Sequence, residues 1–147
     1  MSGTTLTFGT VADVSSSTPN NTCIAYDSDQ QKVLIVHRDA GNSYYVTEEL
    51  GTISGTDVTY TSSVKISASS PFPDNERAMT YDEENQKILL NLYTSNTNQI
   101  YVITVSGSST TWGSANQYST TSNEATINYN STSKSTLLGY RNTRCME

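Results

Sequence analysis

The chain has 147 residues, 34% of them hydrophobic and only 15% charged, with a formal net charge of −6. One domain, 1–147, is expected at this length, and the eight Lys and Arg are scattered from Lys32 to Arg144, so there is no basic footprint to neutralise phosphates and nucleic acid is not an expected partner. No apolar run reaches the about 18 residues needed to span a bilayer, and the enrichment in Thr, Tyr and Val points to pleated strands and an all-β class.

Met1–Thr5 contains neither a basic nor an apolar segment, so no cleavable secretory signal is expected. The first predicted strand, 5–9, is a short outer one carrying Leu6-Thr7-Phe8-Gly9-Thr10. A connection at 15–21 leads to a first full unit, 22–62. Its strand A (22–27) holds Ile24-Ala25-Tyr26-Asp27, the polar turn Ser28-Asp29-Gln30-Gln31 follows, and Lys32 opens strand B (32–38) with Val33-Leu34-Ile35-Val36. Strand C (44–53) runs into Gly51-Thr52-Ile53-Ser54-Gly55, and the Ser-Gly pair turns the chain into strand D (57–61), Val58-Thr59-Tyr60-Thr61-Ser62. The connection 67–76, with Pro71-Phe72-Pro73, leads to the second unit, 77–114. Here the order recurs as Met79-Thr80-Tyr81-Asp82, Glu83-Glu84-Asn85-Gln86 and Lys87 before Ile88-Leu89-Leu90-Asn91. Strand C (98–105) then leads through Ile103-Thr104-Val105-Ser106-Gly107 to strand D (109–113), Thr110-Thr111-Trp112-Gly113-Ser114. A partial third unit, 125–147, shows Ile127-Asn128-Tyr129-Asn130, the turn Ser131-Thr132-Ser133, and Lys134 before Ser135-Thr136-Leu137-Leu138.

The aromatic of strand D recurs at a constant spacing, 60 − 8 = 52 and 112 − 60 = 52, for Phe8, Tyr60 and Trp112. A fixed period of this size marks a repeat architecture of antiparallel four-stranded units. Strand B is apolar on consecutive residues, as in a strand buried on both faces. The periodic aromatics, including Tyr26, Tyr81 and Tyr129, read as packing residues, because recurrence at a structural period is what core side chains do. The strand-A tyrosines are spaced 81 − 26 = 55 and 129 − 81 = 48, which places a longer insertion in the second connection.

Hairpin-linked four-stranded units of this length resemble β-propeller blades. The phrases Ala25-Tyr26-Asp27, Lys32-Val33-Leu34-Ile35-Val36 and Gly51-Thr52-Ile53-Ser54-Gly55 look like a blade type of marine bacteriophage tail-fibre-like or virion-surface proteins. The resemblance implies a place on a phage particle, with a homo-oligomer or other virion proteins as partners, and it prescribes no catalytic residue. About three units fall short of the four to eight blades of a closed propeller, so a β-propeller-like arrangement completed by oligomerisation is expected, with a β-trefoil as the alternative. Trefoil lectins carry a Gln-x-Trp phrase, of which only Gln117-Tyr118-Ser119 is reminiscent.

Several residues carry groups capable of chemistry. The turn carboxylates Asp27, Asp29, Asp82, Glu83 and Glu84 suit a calcium ion only if six to eight oxygens converge, and the third copy, Asn130-Ser131-Thr132, has lost the acids; they read as turn residues. His37-Arg38-Asp39 has no accompanying nucleophile signature, and its register mates read as Leu92-Tyr93-Thr94 and Gly139-Tyr140-Arg141. A shallow glycan site is the ligand reading of this rim, with Arg38, Tyr44, Tyr45, Tyr93, Tyr140 and Arg141 as its residues. Aromatic faces there would stack on sugar rings. Glu48 and Glu49 are consecutive on a strand and point to opposite faces, so they cannot make the facing carboxylate pair of a glycosidase. Sialidase-like propellers carry Asp-boxes and an arginine triad, neither of which is recognisable here. The single His37 and the distant Cys23 and Cys145 make no zinc set, and the two thiols read as unpaired. No metal, cofactor or catalytic residue is expected. The expected function is a non-enzymatic virion structural or surface-attachment protein (tail, fibre or capsid decoration), located on the particle. The alternative is a soluble, secreted or cytoplasmic lectin of propeller or trefoil type that binds a host-surface glycan.

Overall fold

Three turns of one design organise the chain. In each, the last residue of a strand bends the next backbone toward itself: Asp27 Oδ1 accepts from the amides of Asp29 and Gln30, both at 3.0 Å, Asp82 Oδ1 from Asn85 at 3.1 Å, and Asn130 Oδ1 from Thr132 at 2.9 Å and Ser133 at 3.0 Å. This is the Asx turn that makes Asp and Asn good loop residues. The fourth turn residue is left-handed in every copy, Gln31 (φ 53), Gln86 (φ 54) and Lys134 (φ 51). Lys32 and Lys87 then open the next strand opposite Asp27 and Asp82, but opposite Asn130 stands Ser135. The expectation of a strand-opening lysine therefore fails in the third unit, where Lys134 lies one position earlier, inside the turn.

The computed structural model describes residues 9, 11, 13–14, 19–61, 63–66, 72–73, 78–94, 97–119 and 125–140, with backbone alone at 72, 73, 94 and 119. The expected outer strand 5–9 (except Gly9), Arg141 and Cys145 lie outside the described residues. The first sheet is the meander β1 (Pro19–Asp27), β2 (Lys32–Asp39), β3 (Tyr45–Ser54) and β4 (Asp57–Tyr60), with β5 (Val64–Lys65) continuing the outer position along β3. The second comprises β6 (Phe72–Pro73) and β7 (Met79–Asp82), both on β8 (Lys87–Thr94), then β9 (Thr97–Ser106), with β10 (Ser109–Trp112) and β11 (Asn116–Ser119) on its far edge. The third, β12 (Ala125–Asn130) with β13 (Ser135–Tyr140), is a hairpin. Every pairing is antiparallel, so the chain is all-β.

The two larger sheets repeat residue by residue. Gly51 faces Tyr60 and Glu48 faces Val64 in the first; Ile103 faces Trp112 and Ile100 faces Asn116 in the second. Each member moves by 52 residues. Both outer turns are two-residue loops led by a glycine at positive φ, Gly55 (62°) and Gly107 (59°), the mark of a type II′ hairpin. The inner strands instead move by 55, from Asp27 opposite Lys32 to Asp82 opposite Lys87. The difference is a loop. Asp39 pairs Tyr45 across five residues, whereas Thr94 pairs Thr97 across two. The five-residue loop is a 3-10 turn capped by Asp39, whose Oδ1 accepts from Gly41 N at 2.9 Å, and it exits through Ser43 and Tyr44, both at positive φ. The long second connection is thus offset by a loop three residues shorter, and the constant 52 is the sum of two opposite changes.

Successive sheets stack through one pair of faces. Alternation along the strands puts Cys23, Ala25, Leu34, Val36, Val46 and Leu50 on the trailing face of sheet one. They share one buried cluster with Met79, Tyr81, Ile88, Leu90, Leu92 and Ile103 on the leading face of sheet two. Polar links close the joint: Tyr81 Oη donates to Asp29, and Trp112 Nε1 donates to Glu48 Oε2 at 2.9 Å with Thr110 Oγ1 donating to the other oxygen. Sheet three meets the trailing face of sheet two in the same sense. Tyr129 N donates to Thr80 Oγ1 at 3.2 Å, Thr136 Oγ1 to Asp82 Oδ2 at 3.3 Å, and Lys134 pairs Glu84 at 2.8 Å. The innermost strands β1, β7 and β12 lie side by side in that order.

Candidate functional site

Of the rim residues read from the sequence, Arg38, Tyr44, Tyr45, Tyr93 and Tyr140 are among the described residues. Arg38 stacks its guanidinium 4.5 Å from the centre of the Tyr44 ring, and the Lys65 ammonium sits 3.3 Å from the Tyr45 ring centre. Both are cation–π contacts within one sheet end. Tyr93 stands where Arg38 stands one unit earlier, since 93 − 38 = 55 and both neighbour the last rung of the inner hairpin. Tyr140 does not. The turn that absorbs Lys134 shifts strand β13 by one, so Tyr140 is the mate of Leu92 and His37. A one-residue slip reverses the face of a strand. Tyr140 accordingly faces sheet two and meets Tyr118 edge-on, with ring centres 5.3 Å apart.

The turn carboxylates are occupied by their own chain. Asp27 takes two backbone amides and Asp29 takes the Tyr81 hydroxyl. Asp82 takes Asn85 through both backbone and side chain, and Thr136 as well. Desolvation pushes the Asp82 carboxyl upward, but these hydrogen bonds outweigh it and hold its pKa below the usual range. Burial first, then donation to Asp29, raises the Tyr81 phenol. Among the described residues, no group of three His, Cys, Asp or Glu gathers to hold a metal ion.

A buried polar cluster lies on the leading face of sheet one. His37 Nε2 is 3.0 Å from Glu49 Oε1 and 2.9 Å from Oε2, and Ser63 Oγ donates to Oε1 at 2.6 Å. These are the elements of a serine triad in the wrong order. In the catalytic arrangement the imidazole bridges serine and acid, whereas here the carboxylate bridges serine and imidazole. The pair is sealed, and His37 Nδ1 and the neighbouring Thr47 Oγ1 are buried without hydrogen-bond partners. Glu48, one residue away, points to the other face and is consumed by Thr110 and Trp112. The two glutamates therefore diverge, as strand alternation requires. Cys23 is equally sealed: Sγ lies 3.5 Å from Val36 O, and burial pushes its pKa up to about 12, so the thiolate needed for nucleophilic attack is scarce.

One cleft draws on all three units. It has a volume of about 380 Å³ and lies along the innermost strands, lined by Tyr26, Tyr81 and Tyr129 with the turn residues Ser28, Glu83 and Ser131. Each unit contributes a tyrosine and the residue just after its Asx position. Phenolic rings, two hydroxyls and one carboxylate suit a small polyhydroxylated ligand held by stacking and hydrogen bonds. The sequence signal was the recurring Tyr-Asp or Tyr-Asn pair, read there as packing alone.

Along the innermost strands, and at Leu137 of β13, equivalent residues differ in how far they are covered. Ile24, Met79 and Ile127 are equivalent on the leading faces, yet Ile24 is 56% exposed against 7% and 4% for the others. Tyr26 is 45% exposed where Tyr81 is 9%. On the trailing faces, Leu34 is 0% exposed and its third-unit equivalent Leu137 is 59%. The exposure on sheet one is confined to β1, because Val33, Ile35, His37, Thr47 and Glu49 on the same leading face are buried.

Neither a family description, nor a curated protein, nor a solved structure matches this chain.

Proposed function

We propose that the chain is a non-enzymatic structural or surface-attachment protein of a bacteriophage particle, a tail, fibre or capsid-decoration component built of β-propeller-like blades. One observation carries this reading: three equivalent sheets stack through a single, reused pair of faces, with side-chain chemistry spent on the joints. Asp29, Glu48, Asp82 and Glu84 all bond across sheet-to-sheet contacts. A propeller-like arrangement, in preference to a trefoil, accounts for innermost strands lying side by side while outer strands sit at the far edge of each sheet. Particle association is the expectation drawn from the blade resemblance. Mass spectrometry of purified particles tests it: the chain's peptides at stoichiometric level support the reading, and their clear absence overturns it.

A second reading, a carbohydrate-binding lectin, is favoured by the tyrosine-lined cleft. It expects saturable binding on a glycan array, lost in Tyr26→Ala and Tyr129→Ala, and a flat array removes it.

A further inference from the structure

We infer that the tyrosine-lined cleft is selective for a protonated amine, so that its sugar ligand is an amino sugar. The inference rests on the carbohydrate-binding reading of that cleft and names the ligand class. Ser28, Glu83 and Ser131 each follow the Asx residue of their turn and are equivalent positions. Because β1, β7 and β12 lie side by side in that order, Glu83 belongs to the middle turn of three. All three residues line the cleft. The other acids of these turns are engaged within the chain: Asp27 by backbone amides, Asp29 by Tyr81, Asp82 by Asn85 and Glu84 by Lys134 at 2.8 Å. The Glu83 carboxylate, in contrast, takes no hydrogen bond or ion pair among the described residues. The lining includes neither Lys nor Arg. An acidic sugar would therefore meet a carboxylate with no cation to offset it.

The walls suit the same charge. Tyr26, Tyr81 and Tyr129 line the cleft, and an aromatic face attracts a cation within about 6 Å of its centre. The Tyr81 hydroxyl donates to Asp29, which leaves its ring richer in electrons and a better partner for positive charge. A primary ammonium carries three N–H donors, and a carboxylate and serine hydroxyls are acceptors for them. Hydrogen bonds between ionised partners are roughly twice as strong as neutral ones, so the free Glu83 carboxylate distinguishes an ammonium from a hydroxyl at the same ring position. The cleft volume of about 380 Å³ falls within the about 300–1,000 Å³ of small-ligand sites. Tyr26, exposed at the end of the tyrosine row, offers a ring on which the sugar can stack.

Isothermal titration calorimetry of the full chain tests the inference with four probes: glucosamine, glucose, N-acetylglucosamine and ethylammonium. The titrations run at about pH 6, where amines are protonated and carboxylates ionised. The ionic strength is about 0.01 M, where charges act over about 30 Å. Glucosamine is expected to bind at least about tenfold more tightly than glucose or N-acetylglucosamine, which lack the charge. Glu83→Gln is expected to erase that preference. Tyr26→Leu is expected to weaken glucosamine binding about tenfold, and Tyr26→Phe, which keeps the ring, to retain it. Both positions are exposed, so an unchanged far-ultraviolet spectrum is expected for all three variants. Glucose binding as tightly as glucosamine, or a preference that survives Glu83→Gln, overturns the inference and leaves the carbohydrate-binding reading standing. Ethylammonium binding as tightly as glucosamine does the reverse: the amine selectivity holds, and the sugar ring contributes nothing. Absence of binding by all four probes overturns the inference, and the glycan array then decides the carbohydrate-binding reading by itself.

Discussion

Sheets one and two solve the same packing problem with opposite chemistry. His37 and Glu49 occupy the leading face of sheet one; 55 and 52 residues on, Leu92 and Tyr101 occupy the same positions in sheet two. The first pair is a sealed imidazole and carboxylate. The second is an aliphatic side chain beside a phenol ring that meets Trp112 edge-on at 5.6 Å. Leu92 presses against a hydrophobic neighbour, and a charge there would be stranded. The backbone tolerates both solutions because the repeat fixes positions and faces, and each residue then answers to what lies opposite. A buried polar pair rarely outperforms a hydrophobic substitute in stability, and His37 with Glu49 is such a pair.

The largest expected effect comes from breaking the sheet-one pair. Glu49→Leu or His37→Leu alone leaves one partner buried and uncompensated, and urea unfolding is expected to register a loss of about 3–5 kcal/mol. Installing the sheet-two solution, His37→Leu with Glu49→Tyr, is expected to recover most of that loss or to exceed wild type. A double variant as unstable as the singles would show that the two faces are not interchangeable.

A smaller contrast lies one rung away, where Gly51 stands in sheet one and Ile103 in sheet two. A Cβ on Gly51 would come within 2.6 Å of Val33 Cγ1 and 2.8 Å of Tyr60 Cε1. Ile103→Ala, which opens a cavity, is expected to cost about 2–5 kcal/mol, and Gly51→Ala, which overpacks, about 1–3 kcal/mol. Equal tolerance at both positions would contradict the packing described.

The turn of sheet two provides a pH test. The folded-state pKa of Asp82 is depressed, so its contribution is fully present above the ordinary Asp range and is lost as pH falls through the folded value. Acid unfolding of Asp82→Asn is expected to be less steep below about pH 4, and an unchanged acid limb would sink this. The smallest effect concerns the left-handed turn residues: Gln31→Gly and Gln86→Gly remove a steric penalty and are expected to raise stability by up to about 1 kcal/mol. Thermal melts of the two variants should shift alike.

What could be read from the sequence was whatever alternates or recurs. Strand order, the Asx turns, the Ser-Gly hairpins and the divergence of Glu48 from Glu49 all follow from local periodicity. Two features escaped because they depend on pairing across sequence distance. The His37–Glu49 contact joins residues on neighbouring strands, and no local pattern marks it. Tyr140 lies on the opposite face from the one its spacing from Lys134 predicts, because Lys134, with the left-handed φ of Gln31 and Gln86, belongs to the turn. The 52-residue aromatic spacing was legible as a repeat, but its constancy concealed a loop of two residues where the first unit has five.

The stacking order has a consequence for how the molecule opens. Contacts within a sheet are hairpin-local, and among the described residues the main contacts between sheets join neighbours in line, so cooperativity spreads by nearest-neighbour coupling along a short one-dimensional array. Among the described residues, sheet two has a sheet on each side. Among the described residues sheet three is a hairpin, a unit with marginal stability by itself, and it is tied to sheet two through Tyr129, Thr136 and Lys134. Amide protons of β8 and β9 are therefore the last to exchange with solvent and those of β12 and β13 the first, and molecules fray from their ends while the centre stays closed.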